Sequence, residues 1–203
     1  MERIRKGVLK FRERIFPTHR PQFEKLAGKQ EPHTLFITCA DSRIVPNLFT
    51  HTGPGEMFVE RNPGNIIPAY GHESAGELAS IEYAVAALNV RHVIVCGHSD
   101  CGAMKAILSP GDVSEKLPAV ARWIHLSAHL RGQVDPSLDE RAQVRQLTEL
   151  NVAEQLENLK RLPPVAERLA AGKIDLHGWI YEIETGRVYA RDETSGRFRL
   201  WPE

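Results

Sequence analysis

Three short, unbroken apolar runs constrain the fold of this 203-residue chain more than any other feature. They are Thr34-Leu35-Phe36-Ile37-Thr38, Met57-Phe58-Val59 and His92-Val93-Ile94-Val95-Cys96. All carry β-branched or aromatic residues, and none alternates regularly with polar ones. A strand that faces water on one side alternates; an unbroken run suits a strand buried on both faces, as in a parallel sheet between helices. Between the second and third runs, Ala75 to Leu88 reads as a helix. Ser74 and Glu77 offer it a capping box, and Asn89 a stop. The result is a strand–helix–strand unit with a right-handed crossover.

The flanking segments extend this plan. Ile4, Val8, Phe11 and Ile15 share one face of a helix over residues 3–16, which Pro17 is expected to end. A short helix over Gln22 to Ala27 follows. Further helices are expected from about Ala103 to Leu108, near Ala119–Leu130 and over Leu138–Lys160, the last behind a Ser137/Glu140 capping box. Pro163-Pro164 opens another, closed by Gly172. Ile174 to Ile183 reads as a strand, and Thr185-Gly186 turns the chain into Val188-Tyr189-Ala190, an antiparallel edge strand. The expected architecture is α/β: one domain over residues 1–203, with a mostly parallel central sheet flanked by helices. Residues 1–28 form a helical arm. Its apolar face cannot bury itself, so it must pack on the domain or on a partner subunit.

Composition narrows the class of function. Lys+Arg and Asp+Glu both number 26, so the formal charge is zero. That speaks against a strongly basic binder of nucleic acid. No apolar run approaches the ~20 residues that span a bilayer, and Met1 leads into a charged helix and not an apolar leader. The expectation is a cytoplasmic protein without membrane or nucleic-acid partners. Three cysteines, Cys39, Cys96 and Cys101, are too few and too odd in number for a disulfide framework.

Two of those cysteines fall where ligands bind in open α/β sheets, just past the C-terminal ends of expected strands. Cys39-Ala40-Asp41-Ser42-Arg43 follows the first, and His98-Ser99-Asp100-Cys101-Gly102 follows the third. Two thiolates and an imidazole form a set that Zn²⁺ accepts with a fourth position open, the mark of a catalytic site. Arg43 can hold Asp41 ionised through a two-pronged pair. Plainer readings of the same residues stay open here: cysteines buried for packing, and an ion pair that only fastens a loop.

Taken together, these motifs resemble the β-class carbonic anhydrases. The matching segments are Cys39–Arg43, Arg61-Asn62-Pro63-Gly64-Asn65, Glu82-Tyr83-Ala84-Val85, Gly97-His98-Ser99-Asp100-Cys101-Gly102-Ala103 and His177-Gly178-Trp179-Ile180-Tyr181. The chain is similar to the plant-type, open-site branch, close to the bacterial enzyme encoded beside cyanase. The resemblance implies Zn²⁺ on Cys39, His98 and Cys101, and an Asp41/Arg43 catalytic dyad. It implies reversible hydration of CO₂ to bicarbonate and a proton through zinc-bound hydroxide. It also implies substrate contacts from Gln30, Phe58, Tyr83 and the Gly102 N–H, with Gln30, Phe58 and Tyr83 reaching in from the neighbouring subunit of a dimer or dimer-based oligomer. Two other functions fit the same residues. A relative could hydrolyse carbon disulfide or carbonyl sulfide, or Cys39 and Cys101 could form a redox pair, though a redox pair needs neither Asp41, Arg43 nor Gln30. Pro63 departs from the aliphatic residue common at its position. The remaining histidines, His92 and His177 among them, are assigned no ligand role and read as surface or structural.

Overall fold

The computed structural model describes residues 1–71, 76–111 and 113–202. The three apolar runs are strands β1 (Thr34–Cys39), β2 (Met57–Asn62) and β3 (His92–His98), joined by β4 (Asp175–Tyr181), β5 (Val188–Arg191) and β6 (Phe198–Trp201). They form one six-stranded sheet in the order β2-β1-β3-β4-β5-β6. The first four are parallel and the last two antiparallel. The mostly parallel sheet is as expected, but the edge is not. Val188 to Ala190 is flanked by β6, so it is an inner strand. Asp192 to Arg197 repeats the turn of Glu182 to Arg187: Gly186 N donates to Glu182 O and Gly196 N to Asp192 O, each with its glycine near φ +70. Thr194-Ser195-Gly196-Arg197, echoing Thr185-Gly186-Arg187, was the missed signal for the last strand.

The helices are α1 (Glu2–Lys10), α2 (Phe16–Leu26), α3 (Pro46–Phe49), α4 (Gly76–Glu82), α5 (Gly102–Leu108), α6 (Val113–Lys116), α7 (Pro118–Ile124), α8 (Glu140–Lys160) and α9 (Pro163–Ala170). Pro17 does not end the first of them. A π turn at Phe11–Ile15 joins α1 to α2, and Pro17 falls in the first turn of α2. The wider turn lets the chain pass a residue that lacks an N–H without breaking the rod. The Ser74 part of the expected capping box lies outside the described residues. The Ser137/Glu140 box is replaced: Asp139 is the N-cap of α8, its Oδ1 accepting from Ala142 N at 2.8 Å, while Ser137 bonds Asp135.

The sheet is buried on one face by Ile81, Val85, Val152, Leu156, Leu159 and Val165, which pack on Leu35, Ile37, Val93, Val95 and Ile180. On the other face, Phe36, Ile94 and Cys96 pack with Phe49, Met57, Val59, Trp179 and Tyr181. Gly97 lets α8 sit this close: a Cβ there would lie 2.6 Å from Thr148 Cγ2. Among the described residues, no helix is long and apolar enough to cross a membrane.

Candidate metal centre

β1 and β3 are hydrogen-bonded neighbours, so their C-terminal ends emerge side by side. Cys39 is the last residue of β1 and His98 the last of β3. The chain then turns through Asp100, held at φ +58, and returns Cys101 as the N-cap of α5. Strand pairing thus joins groups 59 positions apart in sequence (98 − 39). The two sulfurs and a histidine nitrogen lie within 4.8 Å of one another, and all three residues are buried. Cys96, by contrast, lies inside the sheet and away from this cluster, where burial pushes its thiol up to about 12.

The donor set fits a zinc ion. His98 Nδ1 lies 2.8 Å from Ser99 O, which can only accept, so that nitrogen carries the proton. The tautomer leaves a lone pair on Nε2, which is buried and has no hydrogen-bond partner. An orphaned acceptor beside two thiols is costly unless a cation satisfies it. The thiols are a coupled pair. A hydrogen bond from Cys101, aided by the Gly64 N–H at 3.3 Å, pulls Cys39 down to about 4 against the effect of burial. The same contact, with burial, pushes Cys101 up. Gly64 reaches the sulfur from φ +80, and a Cβ there would come within 3.0 Å of Ala103 Cβ. Position 64 therefore needs glycine.

Asp41 and Arg43 form the expected pair. Arg43 Nε donates to Oδ1 at 3.0 Å, Nη2 to Oδ2 at 2.8 Å, and its backbone N–H to Oδ1 at 2.9 Å. These bonds hold the Asp41 carboxyl at about 2. Asp41 Oδ2 stands 4.0 Å from His98 Nε2, at the lip of the thiol–imidazole cluster. Asp100 grips Arg43 from the other side, accepting from Nη1 at 2.9 Å and offering its carbonyl to Nη2 at 3.1 Å. Arg61 donates to the carbonyls of Cys39 and Asp41 at 2.7–3.1 Å and so fixes the loop by its backbone.

The remaining expected site residues divide. Gly102 opens α5 directly after Cys101, with its N–H in the first turn. Gln30, Phe58 and Tyr83 do not join the centre within one chain. Gln30 is exposed before β1. Phe58 pairs with Leu35, four positions before Asn62, the residue opposite Cys39. Tyr83 is 48% exposed, its ring 6.0 Å from that of Phe58.

Sequence reading missed the groups that hold the 62–67 loop under the sulfur. Asn62 bonds both the N–H and the carbonyl of Ile66. Asn151 donates to Gly64 O at 3.0 Å, Gln155 accepts from Ile67 N at 2.8 Å, and Asn158 donates to Ile67 O at 3.0 Å. Their spacing along α8, four and three residues, is a polar stripe on a helix face that packs inward. That was a legible signal.

A carbonic anhydrase family model matches residues 34–188. The chain is 48% identical to the carbonic anhydrase of Synechococcus elongatus, over 96% of this chain and 73% of that one. It is 47% identical to the carbonic anhydrase of Pseudomonas aeruginosa, over 98% and 90%. The solved structure of the β-carbonic anhydrase CcaA superposes with a TM-score of 0.95 at 43% identity over 98% of each chain. These relatives do not favour the carbon disulfide or carbonyl sulfide reading. With a Cys39–His98–Cys101 centre suited to zinc, the chain belongs to the β-class carbonic anhydrases, zinc enzymes that reversibly hydrate carbon dioxide to bicarbonate.

Proposed function

We propose that this enzyme works with an open metal position, in the plant-type manner, with Asp41 held back by Arg43 near neutral pH. One observation carries the reading: the two-pronged Arg43–Asp41 pair, with Arg43 itself gripped by Asp100. A carboxylate tied at both oxygens must break charge-assisted bonds to move onto a metal. Cys39, His98 and Cys101 hold Zn²⁺, which supplies the Lewis acidity that makes water a nucleophile near neutral pH. Asp41, ionised and able only to accept, takes a hydrogen bond from the attacking water and turns its lone pair toward the carbon of CO₂. The Gly102 N–H, in the first turn of α5, donates to an oxygen of the bicarbonate formed.

Gln30, Phe58 and Tyr83 complete the CO₂ pocket of a partner subunit, which makes the working unit a dimer or a dimer-based oligomer. Their distance from their own chain's centre supports this, as does the uncovered apolar face of the arm. The open-site assignment has a second support. Phe36 is packed against Phe49 and Trp179 and has no N–H to offer an anion, and Arg61 is occupied by backbone carbonyls. The likeness to the cyanase-linked bacterial branch rests on the combined motifs, Cys39–Arg43, Arg61–Asn65, Glu82–Val85 and Gly97–Ala103 together. Free, buried cysteines suit a cytoplasmic setting. The test is stopped-flow CO₂ hydration near pH 7.5 across a bicarbonate series. Ordinary product inhibition is expected, and steep cooperative inhibition overturns the open-site reading.

A further inference from the structure

Asp41 and Arg43 belong to one loop, the one after β1, and their pair could move as a unit. Asp100 belongs to the other loop, after β3, between the ligands His98 and Cys101. Its Oδ2 accepts from Arg43 Nη1 at 2.9 Å, and its carbonyl accepts from Nη2 at 3.1 Å. With the two side-chain bonds to Asp41, four of the five guanidinium N–H groups are used, two toward each loop. The other oxygen of Asp100, Oδ1, pairs with Lys105 Nζ. Lys105 lies in α5, its backbone N–H donating to the carbonyl of Cys101 at 3.0 Å.

This brace stands on a fixed base. Ser99 N donates to Tyr181 O at 3.0 Å, and Ser99 Oγ accepts from Ile183 N at 3.0 Å, so the residue before Asp100 is pinned to the end of β4. Asp100 itself is held at φ +58, a region that aspartate and asparagine tolerate better than most residues. Stability does not account for the ion pairs. The Arg43, Asp100 and Lys105 side chains are 43%, 52% and 44% exposed, and pairs this open to water contribute little. What they fix is direction. Arg43 also lines an open hollow of about 580 Å³ that presents Glu140 and Glu182, other carboxylates toward which a free guanidinium could turn. Asp100 keeps it facing the metal end.

We propose that Asp100 and Lys105 are positioning residues for CO₂ hydration: they clamp Arg43 to the ligand loop and so hold Asp41 where it orients the attacking water without taking that water's place on the metal. The proposal rests on the open-site reading above. Asp41 Oδ2 is 4.0 Å from His98 Nε2, the nitrogen left for the metal, so a carboxylate freed from the clamp has a short way to go to compete for the open position.

The test is a double-mutant cycle of Asp100→Asn with Asp41→Asn, alongside anion binding to cobalt-substituted enzyme at pH 7.5. Asparagine keeps the turn and a neutral acceptor, so the variant loses the charge and little else. At full metal occupancy, Asp100→Asn should lower kcat about 10-fold at unchanged KM, the lower end of what a supporting residue beside a metal site contributes. In the Asp41→Asn background it should cost nothing further, because it acts through Asp41. Thiocyanate, which alters the visible Co²⁺ bands by entering the open position, should bind Asp100→Asn more weakly than the parent. Lys105→Gln, outside the metal loop, should move both readouts the same way by less, and Lys105→Arg should keep the parent's values. An unchanged kcat in Asp100→Asn overturns the proposal, as does an equal loss in the Asp41→Asn background or unchanged thiocyanate binding. So does loss of metal from Asp100→Asn with Lys105→Gln behaving as the parent, which would make Asp100 a structural residue of the loop. If the parent's own bands ignore thiocyanate, the open-site reading has failed, and the cycle alone then decides the clamp.

Discussion

The loops after β1 and β3 and the N-terminal arm sit on the same chain but satisfy their groups in opposite ways. At the metal end the polar groups close on one another. Asp41 takes three hydrogen bonds from Arg43, Arg43 is held again by Asp100, and Arg61 ties down the carbonyls between them. The cluster sits against an apolar shell that includes Met104, Ile107, Leu130 and Leu147. In the arm no residue of α1, the π turn or α2 is buried. Ile4 is 61% and Val8 60% exposed. The arm touches the body lightly, through Gln22 on Pro54 O and Leu26 packed over Gly55. Phe11, Phe16 and Phe23 pack mainly on one another, with ring centroids 5.3–6.3 Å apart. Isolated helices are marginal in water, so the arm's apolar face is expected to be covered by a partner subunit. The metal end is built to a fixed geometry by one chain; the substrate pocket around it is expected to need two.

The largest break is at the metal end. Cys39→Ser or Cys101→Ser removes a thiolate from a buried site and leaves an ion short of ligands, so metal affinity should fall by far more than ~100-fold. Elemental analysis of the purified variants checks this, and a full zinc complement in either would refute the ligand set. Asp41→Asn is milder: it keeps the metal but loses charge and the Arg43 pair. CO₂ hydration should drop about 10²–10³-fold, the usual cost of one misplaced polar group in a reaction site. Near-normal rates at full zinc occupancy would make Asp41 structural.

Ile4→Glu with Val8→Glu attacks the other side of the comparison. Each buried aliphatic side chain contributes roughly 1.5–3 kcal/mol. Sedimentation should therefore show smaller species at micromolar protein, with hydration falling in parallel while zinc stays bound. An unchanged assembly would mean that the arm's apolar face has no partner.

The smallest effect lies on β2, the strand that links the two regions. Glu60 is 8% exposed, and burial, with the nearby Glu77, pushes its carboxyl up to about 7 against a contact from Asn62. In the unfolded chain it ionises near 4.5. Between those values the unfolded state has already released a proton that the folded state keeps, so Glu60's contribution to stability falls as pH rises from about 4.5 to about 7 and then levels. The gap corresponds to about 3 kcal/mol at most. Denaturant unfolding at pH 5 and pH 8 should show a smaller loss in Glu60→Gln than in the parent, and equal losses would discount the buried acid.

The unbroken runs at Thr34, Met57 and His92 were enough to specify strands, because only burial on both faces tolerates such runs, and parallel order followed from the helix between them. The placement of Cys39, His98 and Cys101 at strand ends pointed to a metal set, and Asp41 with Arg43 to its partner pair, but plain burial and a loop-fastening ion pair stayed open until the combined motifs showed the family resemblance. Sequence could not show that Pro17 would be carried through a π turn, since local propensity argues for a break and only the geometry of the whole rod absorbs it. Nor could it show that Asp139 and not Ser137 caps α8, because both are good caps and the choice depends on where Asp135 captures the serine. The polar stripe of Asn151, Gln155 and Asn158 had the right period but no visible target. Its partners are backbone groups of residues 64–67, more than eighty positions away, and hydrogen bonds between distant segments exist only once the sheet has placed them. The same holds for His92 and His177: each was an ordinary histidine in the sequence, and adjacent strands brought their ring nitrogens to 3.3 Å.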